Sequence, residues 1–456
     1  MKGTENMTNK KPISGYQLPE PISMPELPSE PNPLEQKVLD RIIEQDWLDL
    51  TIEMVRTGQP HSTNPLDPDI PAGEEEAIAM FVAGKLESMG FKVEKHYSQL
   101  HRPNVVGILK GTGNGPSLMI NDHLDTYPAV EPERWDKCDG DPFNATRHSD
   151  WLYGRGTSDT RGNLAASLLA VKALIDEGVK LKGDLVCCYT VDEEKDGLHG
   201  SLFMTQTIGI KTDYSITAEP TAWGGETDRW GMNISVANSG HCLINVTVKG
   251  LKAHIWRPDT GVNAITLTSQ LVAPLNTMPF EHEPNALMGH TPPCVCVVRI
   301  NGGLPGEMQF SPDSCTMTLA VVGILPGMTI DSVINDISAV VETELGVLES
   351  VEYNVSQVPG SLFVNGTEAV PLDEEPNLSI SKAYQALLGE PPLINRKNAF
   401  NDTIRFREAG MNAVTFGPGE DGWSPINEGI SIPKSVAATK IFALTIMGIL
   451  GVSEGE

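Results

Sequence analysis

The sequence predicts an α/β chain in two parts: a larger domain on a mostly parallel sheet, and a smaller split βαβ domain inserted into it. Short apolar runs alternate with helical stretches before Gly240 and again after Val358, the pattern of a sheet layered with helices. Between those limits apolar and polar residues alternate one for one, as in half-buried antiparallel strands. At 456 residues the chain can bury one or two sizeable cores.

Taken in order, residues 12–33 hold seven prolines among Ser, Glu and Asn. That composition predicts an extended arm over 1–33, solvated or clasped on a partner subunit, with helix resuming near Leu34. The larger domain then takes 34–239 and 361–456, and the insertion takes 240–360. In 74–90 the spacing of Ala79, Phe81, Val82 and Leu86 is helical. Strands are expected at 104–109, 117–121, 185–190 and 214–218, with a helix opened by Gly162 that aligns Leu164, Leu168, Val171 and Ile175. In the insertion, Ile244, Val246 and Val248 alternate with polar residues, as do the segments around 294–300 and 316–322. Helices fit 263–275 and 331–344, the latter aligning Val333, Ile337 and Val340, which makes the insertion ferredoxin-like. A helix over 379–388 and a strand over 413–416 return to the first pattern. No internal repeat is visible.

Acidic residues outnumber basic ones 60 to 33, a formal charge of −27 that repels nucleic acid and anionic membranes. The strongly apolar run 442–450 is far shorter than the roughly 20 residues of a membrane span. The N-terminus shows no secretion signal. Seven cysteines, none in a Cys-x-x-Cys pair, suit free thiols in a reducing compartment. A cytoplasmic protein acting on a small molecule is the expectation.

Four clusters could carry chemistry, each just past a strand end. Asn121-Asp122-His123-Leu124-Asp125 offers an imidazole for a metal and a carboxylate to orient it. Asp159 sits in a Gly-rich turn, 154–162, before a helix; it could bridge metals or cap the helix. Asp192-Glu193-Glu194 crowds three carboxylates, at a cost unless a cation or a retained proton relieves it. Glu219 ends the next strand. Together they suggest a zinc or manganese site. No Gly-x-Ser-x-Gly elbow appears.

The ordered motifs His123-x-Asp125, Gly154-Arg155-Gly156-x-x-Asp159-x-Arg161-Gly162, Asp192-Glu193-Glu194 and Ala218-Glu219-Pro220 resemble the metallopeptidase family of acetylornithine deacetylase, succinyl-diaminopimelate desuccinylase, aminoacylase and the glutamate carboxypeptidases. Trp135, Asp141-Pro142-Phe143, the stretch Lys249-Gly250-Leu251-Lys252-Ala253-His254 and Phe416-Gly417-Pro418-Gly419 extend the likeness from about residue 40 to the end. The resemblance implies a zinc-peptidase-like catalytic domain with an inserted dimerisation or lid domain, hydrolysing an amide-type C–N bond. It implies one or two divalent ions per subunit, zinc first, with manganese or cobalt as alternatives. His123 and Glu219 are then ligands of one metal, Asp159 the bridge, Glu194 a ligand of the second and Glu193 the general base. Asp125 orients His123. His254 reaches a partner subunit's site in a homodimer and stabilises the oxyanion.

Two departures bear on function. The family's last metal-binding His falls at Ser424, so Glu420, Asp421 or His199 must complete the second site, or the enzyme works with one metal. The Asn and Arg that grip a substrate carboxylate fall at Gln309 and Gly323. Arg299 or Arg405 could substitute; otherwise the glycine leaves room for a bulkier or differently charged substrate. An aminohydrolase acting on an amine-bearing ring and a non-hydrolytic binding protein are the alternative functions.

Overall fold

In a computed structural model the described residues are 20, 22–27, 30–57, 73–129, 131–222, 232–289, 291–348, 350–419 and 426–453. They belong to two compact units, one made of Glu20–Ala237, Ala369–Lys397 and Asn401–Glu456, the other of Asn238–Glu368 and Asn398–Phe400.

The larger unit carries a nine-stranded sheet in the order Ile22–Ser23, Leu393–Lys397, Ile234–Asn238, Asn412–Thr415, Tyr214–Thr217, Leu118–His123, Leu185–Thr190, Arg102–Leu109, Lys92–Gln99. From Asn412–Thr415 to Leu185–Thr190, four neighbours run parallel. Both sides of that centre are antiparallel. The sheet is therefore mixed, not mostly parallel. The tight connection between Gln99 and Arg102 forces a hairpin, and a run of apolar residues does not by itself reveal strand direction. The central strands Leu118–His123 and Leu185–Thr190 are buried along their whole length, which is why they read as continuous apolar runs.

The described part of the proline-rich arm is not a solvated tail. Ile22–Ser23 adds an edge strand, Met24 is buried and donates its N–H to the Pro392 carbonyl at 2.9 Å, and Leu27 N–H reaches Gln385 Oε1 at 2.8 Å. The helix Pro33–Asp40 follows, with Asn32 and Glu35 forming a reciprocal cap. The helix Ile432–Leu450 is long and apolar enough to cross a membrane, but it is mostly buried, packed on Glu375–Leu388 and Gly162–Asp176.

The smaller unit is an antiparallel sheet ordered Cys294–Gly302, Ser314–Ile324, Gly240–Lys249, Glu352–Gln357. Residues of Gly240–Lys249 alternate between buried and half-buried, and Ile244, Val246 and Val248 share a core with Leu267, Leu271, Val333 and Ile337. The helix expected over 263–275 is two, Ala264–Gln270 and Val272–Thr277. Pro274, inside the second helix, has no N–H for the Gln270 carbonyl, so the ladder is interrupted one turn earlier, at Leu271.

Candidate active site

Three parallel strands end level. His123 pairs with Thr190 and Asn121 with Thr217, so Asp125, Glu193, Glu194 and Glu219 all leave the sheet at one edge. His123 is fully buried. Its Nε2 lies 2.9 Å from Asp159 Oδ1 and 3.9 Å from Glu193 Oε2, and its Nδ1 lies 3.4 Å from Asp125 Oδ1. Asp125 does more than face His123: its two oxygens accept the N–H groups of Glu193 and Glu194, each at 3.1 Å. Burial lowers the proton affinity of His123, but Asp125 and Asp159 outweigh it and hold the imidazole well above its usual range.

The acids are not alike. Burial raises Glu193 well above the ordinary carboxylate range, with Glu219 adding to the effect. Burial and the Asp159 charge push Glu194 up to about 8. Glu219 rises to about 7 through burial, against the pull of Lys397. Its Oε2 accepts from Asn401 Nδ2 at 3.1 Å and lies 3.3 Å from Lys397 Nζ, while its Oε1 is buried with no hydrogen-bond partner.

The turn carrying Asp159 is built around Glu428, whose role the sequence did not disclose. Its carboxylate accepts from the N–H groups of Gly156, Ser158 and Asp159 at 2.8, 2.8 and 2.9 Å and from Arg155 Nη1 at 2.8 Å. Gly156 adopts φ +80°, and a Cβ there would meet Thr126 Cγ2 at 2.8 Å, so the turn requires glycine. Arg161 Nη2 donates to the Leu124 carbonyl at 2.6 Å, tying the turn to the His123 strand end. On the other flank, Arg102 holds Glu75 through paired bonds of 2.8 and 2.6 Å and reaches Asp192 at 3.0 Å, fixing the residue before Glu193. Lys397 and Arg102 had no motif to mark them.

Of the residues offered to compensate the departures, His199 bonds Ser98 Oγ through Nδ1 at 2.9 Å, and Arg405 bonds Glu408 at 3.0 Å and the Asp196 carbonyl at 3.3 Å. Arg299 is exposed on an edge strand of the smaller unit, and Gln309 is exposed there too. Ser424, Glu420 and Asp421 lie outside the described residues. Gly323 does not leave room: at φ +76° beside a bulge, its Cβ would lie 2.8 Å from the Pro292 carbonyl oxygen, so the backbone closes the position to any side chain. His254 is exposed on the smaller unit, edge-on to Phe310 at 5.3 Å, and its Nδ1 accepts the Trp256 N–H at 3.3 Å.

Among the described residues, no three His, Cys, Asp or Glu side chains stand in a ready-made metal cluster; His123 and Asp159 bond each other instead. The donor set nevertheless fits a divalent cation. An imidazole nitrogen, several crowded carboxylates and the orphaned Oε1 of Glu219 are groups that a cation would satisfy together.

The model of peptidase family M20/M25/M40 matches residues 119–448. An N-formyl-4-amino-5-aminomethyl-2-methylpyrimidine deformylase of Bacillus subtilis is 28% identical over 395 residues, covering 82% of this chain and 89% of the relative. A succinyl-diaminopimelate desuccinylase of Nitrosomonas eutropha is 24% identical over 345 residues, covering 74% and 84%. Human carnosine dipeptidase 1 shares the fold with a TM-score of 0.71 at 18% identity, covering 92% of this chain and 99% of its own. A Bacillus subtilis protein described as a dinuclear metal binding peptidase aligns with a TM-score of 0.59 at 15% identity, over 90% and 100%.

Proposed function

The chain belongs to peptidase family M20/M25/M40 and is a hydrolase of amide-type C–N bonds, and from that premise we propose that it removes a small acyl group from an N-acylated small molecule. The observation that carries the reading is the meeting of His123, Asp159 and the buried Glu193 at one sheet edge. His123, Asp159, Glu194 and Glu219 would hold a divalent cation, zinc first, in one or two copies. Such an ion supplies a hydrolytic water of lowered pKa and polarises the scissile carbonyl. Glu193, raised by burial, is suited to take a proton from water and return it to the leaving nitrogen. Asp125 sets both the His123 ring and the Glu193–Glu194 backbone.

The relative's name supports an N-formyl or similarly small acyl group on an amine-bearing ring. Closure of Gly323 supports a substrate not gripped by an arginine there. The domain limits proposed are an arm over 1–33, catalytic parts over 34–239 and 361–456, and an insertion over 240–360. Exposed Val298 and Ile300 on the edge strand Cys294–Gly302 support a homodimer formed through that insertion, with His254 serving a partner subunit's site. The compartment proposed is the cytoplasm.

The test is a screen of N-formyl, N-acetyl and N-succinyl amines, dipeptides and free ring amines, with metal content measured by elemental analysis. Release of formate or another small acid from an N-acyl amine supports the reading. Ammonia released from a free ring amine would favour the aminohydrolase, and inertness of the metal-replete protein would favour the binding protein. Mixing Glu193→Gln with His254→Ala tests the dimer: heterodimers regain part of the activity if His254 serves the partner's site, and stay at background if it does not.

A further inference from the structure

We propose that Lys397 is a resident cation of the site, whose charge beside Glu219 opposes a divalent metal ion there and so weakens metal affinity. The inference rests on reading Glu219 as a metal ligand. Lys397 closes the strand Leu393–Lys397, and both it and Glu219 have side chains only 4% exposed. Its Nζ is anchored on the Pro220 carbonyl at 3.1 Å and lies 3.3 Å from Glu219 Oε2. Asn401 Nδ2 holds the same oxygen at 3.1 Å, and Oε1 has no hydrogen-bond partner. One oxygen of Glu219 is thus committed to the protein and the other is left for a ligand.

The ammonium's charge also reaches Asp159, the carboxylate that touches His123. A compact positive charge this near repels an incoming divalent ion, and burial weakens the screening that water would give. It equally offsets the repulsion between Asp159 and Glu219 while the metal is absent. Lys397 acts through Glu219 and is a positioning residue.

Full-length protein stripped with a chelator is titrated with Zn²⁺ and with Mn²⁺ by calorimetry, in wild type, Lys397→Met and Lys397→Arg, after circular dichroism shows all three folded. Lys397→Met is expected to bind roughly tenfold to a hundredfold tighter, and Lys397→Arg to stay near wild type because it restores the charge. Should Lys397→Met fail to fold, Lys397→Gln, which keeps a donor for Pro220, replaces it. Affinity equal to or weaker than wild type in the folded neutral variant overturns the role of Lys397 while leaving the metal reading intact. Absence of binding in every protein overturns the metal reading, and this inference with it.

Discussion

Glu428 and Glu219 are both buried carboxylates of the larger unit, and they are furnished in opposite ways. Glu428 accepts three backbone N–H groups and an arginine, so both its oxygens are satisfied. Glu219 has one oxygen held by Asn401 beside Lys397 and one with nothing. A buried acid whose hydrogen bonds are complete is scaffold; one left incomplete is available to a ligand. On this comparison Glu428 shapes the Asp159 turn, and Glu219 keeps one buried oxygen without a hydrogen-bond partner.

The largest expected effect comes from breaking the scaffold side. Glu428→Ala should cost about 3–5 kcal/mol of folding stability, because it removes the buried ion pair with Arg155 and the acceptor of the Gly156, Ser158 and Asp159 N–H groups. Urea denaturation of the metal-free protein measures it, and a loss under about 1 kcal/mol would show that the turn holds itself. At pH 5, where Glu219 raised to about 7 already holds its proton, Glu219→Gln should leave metal-free stability nearly unchanged while abolishing the tight cation site.

Asp125→Asn should be milder, lowering metal affinity roughly 10–100-fold. His123→Ala should exceed it, and equal affinity in both variants and wild type would remove His123 from the site.

The subtlest test is pH. Glu219 is raised to about 7 and Glu194 to about 8, mainly by burial. The folded metal-free protein therefore holds protons that the unfolded chain releases from about pH 4.5 upward. Stability from these two groups is present at low pH and is lost as pH rises through 7 to 8. Denaturation curves from pH 5 to 8 should show that decline, flattened in Glu219→Gln; a matching slope in the variant would exclude Glu219 as its source.

His123, Asp125, Glu193, Glu194 and Glu219 were legible because acids and a histidine directly after apolar runs mark the C-terminal ends of parallel strands, whereas Asp159, beyond the antiparallel strand Trp151–Tyr153, was legible through its Gly-rich turn. The strands themselves showed through their apolar runs, but their direction did not, and the antiparallel flanks of the sheet went unread. Lys397 and Glu428 reach the site from distant stretches of chain, through neighbours set only by the sheet orders, in which Leu393–Lys397 lies beside Ile234–Asn238 and Gly429–Ser431 beside Trp151–Tyr153. Nothing in their local sequence records that. Gly323 misled for a related reason: a missing side chain reads as space until the Pro292 backbone is placed against it.

In the proposed mechanism Glu193 handles protons while its neighbours hold the cation. Glu193→Gln keeps the shape of the side chain and removes its basicity. With an N-acyl amine that wild type hydrolyses, the variant should lose about 10²–10⁴-fold in turnover while elemental analysis finds its metal content at the wild-type level. Loss of the metal in Glu193→Gln, or turnover within a few-fold of wild type, would contradict the assignment.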